Sequence, residues 1–196
     1  MELIFATHNN NKAQEIQNLF PDFVVVKTLR DIGCHEEIPE TQKTIEGNAL
    51  QKAKYVFDNY NYNCFADDTG LEIDALDSEP GVYSARYAGP QKNSDDNMDL
   101  VLQKLATENN RKAHFKTVIA LIIDGEQHLF EGIVEGAIRT EKTGTEGFGY
   151  DPIFEPENKG KTFAEMSLEE KNSCSHRSRA IEKLVAYLRE LNRTNE

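Results

Sequence analysis

Tryptophan is absent from this chain of 196 residues, and cysteine occurs only three times, at Cys34, Cys64 and Cys174. The three form no CxxC pair and no even framework, which excludes a disulfide scaffold or a zinc ribbon and fits a reducing compartment. Long apolar runs are missing too. The longest purely aliphatic stretch is Val118 to Ile123, far short of the roughly 20 residues that a membrane span needs. The chain opens Met-Glu-Leu-Ile-Phe, with no basic stretch and no small-residue cleavage site after it. Neither a signal peptide nor a membrane partner is therefore expected, and the location expected is cytoplasmic. Positive charge is scarce as well: 22 Lys and Arg face 34 Asp and Glu, a formal net charge of −12. A chain this acidic is not built to grip a nucleic-acid polymer. No repeat, low-complexity tract or linker marks a boundary, so one domain over residues 1–196 is expected.

What is present reads as an α/β protein. Leu3 to Ala6 is a short apolar strand, and Ala13, Ile16, Leu19 and Phe20 recur at helical spacing until Pro21. Phe23 to Val26 is β-branched and aromatic, which predicts a second strand. A polar loop over residues 31–44 leads to an amphipathic helix marked by Ile45, Ala49, Ala53, Val56, Phe57 and Tyr60. Cys64 to Ala66 and Leu71 to Ala75 predict two brief strands on either side of Asp67-Asp68-Thr69-Gly70. Met98, Val101, Leu102 and Leu105 mark a further helix with Ser94 as its cap. Ala113 to Ile123 and Gln127 to Ile138 flank Asp124-Gly125, a strong hairpin signal that makes the sheet mixed. Ser167-x-x-Glu170 predicts a capping box, and Ala180 to Leu191 a last helix.

Five groups of residues could carry chemistry. Thr7, His8, Asn9, Asn10, Asn11 and Lys12 lie between a strand end and a helix start, where unpaired N–H groups suit an anion. The same asparagines could simply cap the helix. Asp67 and Asp68 repel one another unless a cation stands near, and a divalent metal with oxygen ligands suits them. An acidic turn is the plainer alternative. Glu40 lies upstream of Asn48 and Lys52, which share a helix face; Lys52 reads equally as a solvated lysine. Residues 159–193 carry eight Lys and Arg against five Glu. Within that basic island Lys171 and the pair His176-Arg177 fall near a helix start, an unfavourable place for a cation unless an anion binds. Phe148-Gly149-Tyr150-Asp151-Pro152 could stack a base, or could be core aromatics at a turn.

In this order the motifs resemble the dITP/XTP pyrophosphatase family (the inosine triphosphate pyrophosphatases), over essentially the whole chain. The residues that carry the resemblance are Thr7-x-Asn9-x-x-Lys12, Phe65-Ala66-Asp67-Asp68-Thr69-Gly70-Leu71, Pro80 to Tyr87, Gly147 to Pro152 and Ser175-His176-Arg177. Where the family usually reads Thr-Phe-x-Glu-Asn-Ala, this chain has Thr44-Ile45-Glu46-Gly47-Asn48-Ala49. The resemblance implies a homodimer of bilobed chains, each a long mixed β-sheet flanked by helices, with the site in the cleft. It also implies Mg²⁺-assisted hydrolysis of dITP, ITP and XTP to the monophosphate and pyrophosphate. Thr7 to Lys12 would hold phosphate, and Glu40 and Asp68 the metal, with Asp68 also the base for water. Thr69, Phe148, Gly149, Tyr150, Asp151, Lys171, His176 and Arg177 would bind substrate, with Lys52 helping to neutralise it. Phe148 is expected to stack on the purine while His176 and Arg177 flank its 6-oxo group. The alternatives are a phosphohydrolase of other specificity and a catalytically silent nucleotide-binding protein.

Overall fold

The computed structural model describes residues 1–16 and 18–194. Strand β1 (Glu2–Phe5) leads to helix α1 (Asn10–Ile16), and β2 (Val25–Thr28) follows. The first helix is shorter than its apolar spacing predicts: Leu19 and Phe20 lie beyond its end, partly buried against the core rather than continuing the coil. Helix α2 (Ile45–Tyr60) has the limits read from its periodicity, with Thr44 Oγ1 accepting from Gly47 N as the N-cap. Strand β3 (Cys64–Ile73) corrects the reading of two short strands. It runs unbroken through Asp67, Asp68, Thr69 and Gly70.

After the two-residue strand β4 (Pro80–Gly81) comes α3 (Ser94–Lys104), capped by Asn93 accepting from Asp96 N rather than by Ser94. The hairpin of β5 (Lys112–Ile123) and β6 (Glu126–Ile138) turns on Asp124 and Gly125, both at positive φ (51° and 86°). That pair of dihedral signs defines the turn that matches strand twist. Strand β7 (Phe154–Pro156), the capping-box helix α4 (Leu168–Asn172) and the long α5 (His176–Thr194) complete the chain.

The strands form one mixed sheet in the order β2-β1-β3-β5-β6-β7, with β4 paired to β3. Strand β1 runs parallel to both β2 and β3, whereas β3–β4 and β6–β7 are antiparallel. An α/β fold with a mixed sheet and flanking helices is thus as expected from the sequence. The chain makes two compact units. The first comprises Met1–Asp68, Thr117–Gly132 and Arg177–Glu196. Its core stacks Phe5 on Phe65 (4.6 Å between centroids) and buries Ala180, Ile181, Leu184, Val185 and Leu188 of α5. The opposite side of α5 presents Arg179, Lys183, Arg189 and Arg193 to solvent. The second unit comprises Thr69–Lys116 and Ile133–His176, around Phe115, Phe154 and Phe163. Each fully buried aromatic or aliphatic side chain contributes about 1.5–3 kcal/mol. Among the described residues, no helix is long and apolar enough to cross a membrane.

Candidate functional site

Charged side chains gather inside the first unit. Asp67, 2% exposed, accepts from Lys12 Nζ at 3.0 Å through Oδ1 and from Arg177 Nε at 3.1 Å through Oδ2. Arg177 Nη1 in turn donates to Glu15 of α1. One residue along β3, Asp68 faces another cation: its Oδ1 lies 3.9 Å from Lys52 Nζ, which donates to Glu40 Oε1 at 2.5 Å. Alternation along a strand explains why neighbouring carboxylates meet different partners. The cluster thus sets four carboxylates (Glu15, Glu40, Asp67, Asp68) against three cations (Lys12, Lys52, Arg177).

These surroundings push the adjacent aspartates in opposite directions. Burial acts to raise both. For Asp67 it is outweighed by the charges of Lys12, Arg177 and Lys52, which hold its carboxyl well below the usual carboxylate range. For Asp68 burial prevails, and the carboxyl is raised above the usual range despite Lys52 and Lys12. Burial lowers Lys12, whereas Lys52 is raised: the charges of Asp68 and Glu40 outweigh its burial. Asp67 is therefore a fixed anion and Asp68 a carboxyl that titrates. Such a pair is the pattern expected of a clamp beside a base.

The two buried atoms Asp68 Oδ2 and Asn48 Nδ2 have no hydrogen bond. An orphaned carboxylate oxygen beside a second carboxylate, Glu40, fits a hard divalent cation. Among the described residues no group of three or more His, Cys, Asp or Glu is arranged as a metal cage.

Of the two readings made of residues 7–12, the helix cap is the one seen directly. Asn9 Oδ1 accepts from the N–H groups of Asn11 (3.0 Å) and Lys12 (3.3 Å), so it does cap α1. Asn9 N donates to Thr7 Oγ1, and His8 Nε2 lies 2.9 Å from the Glu36 carbonyl. His8, Asn9, Asn10 and Asn11 are exposed, with Thr7 and Lys12 half-buried. Lys52, for which a solvated lysine was an open reading, is buried.

The second unit collects the other candidates. Asp151 Oδ2 accepts from Lys171 Nζ at 2.6 Å and from Phe148 N at 2.8 Å, and Lys171 Nζ stands 4.9 Å from the centre of the Phe148 ring. Gly147 is required there. Its φ is +72°, and a Cβ would come within 2.0 Å of Asp151 Oδ2. Gly149, at φ +64°, has open space where a Cβ would stand. Tyr150 is buried and its hydroxyl donates to Ser84 O at 2.7 Å, so its ring anchors the loop to the Pro80–Tyr87 motif. Thr69 is half-buried in β3. His176, 2% exposed, stacks on Phe115 at 4.5 Å between centroids. Lys171 is not at a helix start: it lies in the last turn of α4, where a cation suits the dipole. His176 and Arg177 do open α5.

Two working residues, Glu15 and Asn97, escaped the sequence reading, and Ser84 stood in it only as part of the Pro80–Tyr87 motif. Glu15 follows Lys12 by three positions and neighbours the buried Ile16, and a glutamate beside an apolar stripe was the available signal. Ser84 and Asn97 knit the Pro80–Tyr87 motif. Ser84 Oγ accepts from Leu71 N and donates to Gly81 O, and Asn97 Oδ1 accepts from Ala88 N at 2.7 Å.

Comparison with known proteins agrees with this picture. The Ham1 family profile matches residues 3–187. A dITP/XTP pyrophosphatase of Flavobacterium johnsoniae is 57% identical over 188 residues, covering 96% of this chain and 98% of that one. A Ham1 protein structure from Coxiella burnetii superposes with a TM-score of 0.90 at 37% identity, covering 97% and 99% of the two chains. The Staphylococcus aureus Ham1 structure gives 0.88 at 39% identity, with the same coverage. With family motifs, fold and nearly full-length relatives in agreement, this chain belongs to the Ham1 family.

Proposed function

We propose that this protein hydrolyses dITP, ITP and XTP to the nucleoside monophosphate and pyrophosphate. The observation that carries the proposal is the split pair on β3, with Asp67 held as an anion by Lys12 and Arg177 and Asp68 raised by burial with a bare Oδ2. The activity of the relatives supports the same reading. Residues 1–196 act as one catalytic domain on this view, cytoplasmic and homodimeric as the family resemblance implies.

Water attacks the α-phosphorus, a new P–O bond forms, the bond to the bridging oxygen breaks, and pyrophosphate departs with that oxygen. Asp68 takes the water's proton. Lys12 and Lys52, with the half-buried Thr7 and the exposed His8 to Asn11, neutralise and orient the polyphosphate. Arg177 fixes Asp67 and so keeps Lys12 in place. Mg²⁺, which Glu40 and Asp68 would hold, supplies charge neutralisation of the triphosphate. The Phe148 ring takes the purine face, and Lys171 is aimed by Asp151 beside it. Thr69, Gly149, the Tyr150 main chain and His176 complete the binding of the nucleoside. A donor placed for a 6-oxo group is left unpaired by the amino group of ATP, which is the physical basis of selectivity.

A nucleotide panel assayed separately for pyrophosphate and orthophosphate tests the reading. Pyrophosphate from dITP, ITP and XTP, abolished by chelating divalent ions, is the expected result. Orthophosphate alone would indicate a phosphohydrolase of another kind, and nucleotide binding without turnover a silent binding protein.

Stacking on Phe148 should be indifferent to the purine's substituents. Phe148→Ala is therefore expected to lower kcat/KM for ITP and for ATP alike, by about 1–3 kcal/mol each. A collapse of the ITP-to-ATP ratio in that variant would move discrimination onto the ring and overturn this assignment.

A further inference from the structure

Three side chains on one face of α2 hold three consecutive residues of the loop that precedes it. Lys52 Nζ donates to the Glu40 carboxylate at 2.5 Å. The Gln51 carboxamide takes Thr41 at both ends: Oε1 accepts from Thr41 N and Nε2 donates to Thr41 Oγ1, each at 2.9 Å. Asn48 Oδ1 accepts from Gln42 N at 2.9 Å. Since a main-chain N–H can only donate, this bond also fixes which way round the Asn48 amide sits. Positions 48, 51 and 52 have the i, i+3, i+4 spacing of a single helix face.

Gly47 completes the arrangement by what it lacks. A Cβ at this position would lie 2.8 Å from Gln42 Cβ and 3.0 Å from Thr44 Oγ1. Gln42 Cβ is anchored to the main chain, so relief requires the loop itself to move. The loop reaches the helix start only because no side chain stands at 47. The glutamate usual here in the resembled family would displace residue 42 from Asn48, and through the chain would disturb residues 41 and 40 and their bonds to Gln51 and Lys52.

We infer that Gln51, Asn48 and Gly47 are positioning residues for Glu40. Together they set the path of residues 40–42 and so fix where the Glu40 carboxylate stands for a divalent cation. The inference rests on the metal reading of Glu40 above. Groups that orient metal-binding side chains commonly change affinity or activity 10–100-fold when removed, and Thr41 and Gln42 are exposed.

The test compares Gln51→Leu, Thr41→Val, Thr41→Ser and Gly47→Ala with the parent protein. Mn²⁺ uptake is followed by electron paramagnetic resonance without nucleotide, beside melting temperature and KM for dITP at saturating Mg²⁺. Gln51→Leu, Thr41→Val and Gly47→Ala are expected to bind Mn²⁺ about tenfold more weakly. Thr41→Ser keeps the hydroxyl and should bind as the parent does. Melting temperature and KM at saturating metal should hardly move. Alanine is a better helix former than glycine, so weakened uptake in Gly47→Ala could not be blamed on an unravelled α2.

Parent-like Mn²⁺ affinity in Gln51→Leu and Gly47→Ala would overturn the inference. A large fall in melting temperature would do so too, because the contacts would then serve the fold rather than Glu40. A parent that takes up no Mn²⁺ removes the metal assignment and this role with it. A parent that takes up Mn²⁺ but releases no pyrophosphate leaves the clamp standing and refutes the proposed activity instead.

Discussion

Asp68→Asn is expected to lower kcat by roughly 10³-fold while leaving the protein at least as stable as its parent. The kinetic half follows from the proposed role, since general-base catalysis contributes about 10²–10⁴-fold. Asparagine keeps the shape but has no site for the water's proton, so the loss should fall on kcat more than on KM. The stability half follows from the direction of the shift. Burial raises the Asp68 carboxyl above the ordinary 3.8, so its ionised form at neutral pH opposes folding. Replacing it by a neutral amide removes that cost. Lys52 keeps its bond to Glu40 at 2.5 Å, so no cation is stranded.

The pH dependence has a definite sign. In the parent, activity should rise with pH through the raised Asp68 pKa and be lost below it, because only the carboxylate can act as base. Any stability advantage of Asp68→Asn should be full above that pKa, shrink as the pH falls through it, and vanish below the ordinary 3.8, where the carboxyl is neutral folded and unfolded alike. Parallel pH–rate profiles and melting curves for parent and variant supply the measurement. Parent-like turnover in the variant would take Asp68 out of the mechanism, and a marked loss of stability would place it in the structural network instead.

Much of this arrangement was legible because it is local. The periodicity from Ile45 to Tyr60, the Asp124-Gly125 turn and the Ser167-Glu170 capping box are each decided within a few residues, and the structure has all three. The unbroken course of β3 was not legible. Adjacent aspartates are depleted in strands, and only cations from elsewhere in the chain make them tolerable there. Those cations lie far off in sequence: Arg177 is 110 residues from Asp67 and 162 from Glu15. No periodicity reports a pair at that separation. The same applies to Tyr150 and Ser84, and to Lys171 and Asp151, whose partners are chosen by packing. The motifs marked which residues matter and left open which of them touch. Asp67 and Asp68, told apart in the sequence only by the family resemblance, acquire opposite physical properties from that long-range pairing.

Asp67→Asn should therefore behave as the reverse of its neighbour, as a stability variant first. The carboxylate is 2% exposed and holds Lys12 Nζ at 3.0 Å and Arg177 Nε at 3.1 Å. An amide can accept from one of these cations, but it cannot balance their charge. Removing one partner of a buried ion pair costs about 3–5 kcal/mol, because the remaining charge is left in a poor solvent. Glu15 still accepts from Arg177, which places the expected loss toward the lower end of that range. For a chain of this size such a loss lowers the melting temperature by roughly 10 °C. Lys12, already lowered by burial, loses the charge that best offsets it and becomes easier to deprotonate, so phosphate binding should weaken as well. The sign with pH is again fixed. A carboxyl held below its ordinary value stabilises the fold fully above the unfolded pKa, and that contribution is lost as the pH falls through the depressed one. The gap between parent and Asp67→Asn should consequently stay constant across neutral pH and narrow only in strong acid. Denaturant unfolding of both proteins at pH 7 and at the lowest pH they tolerate measures the gap. A variant within about 1 kcal/mol of the parent at pH 7 would mean that Asp67 is no more than an exposed-type ion pair, and the division of labour on β3 would fail.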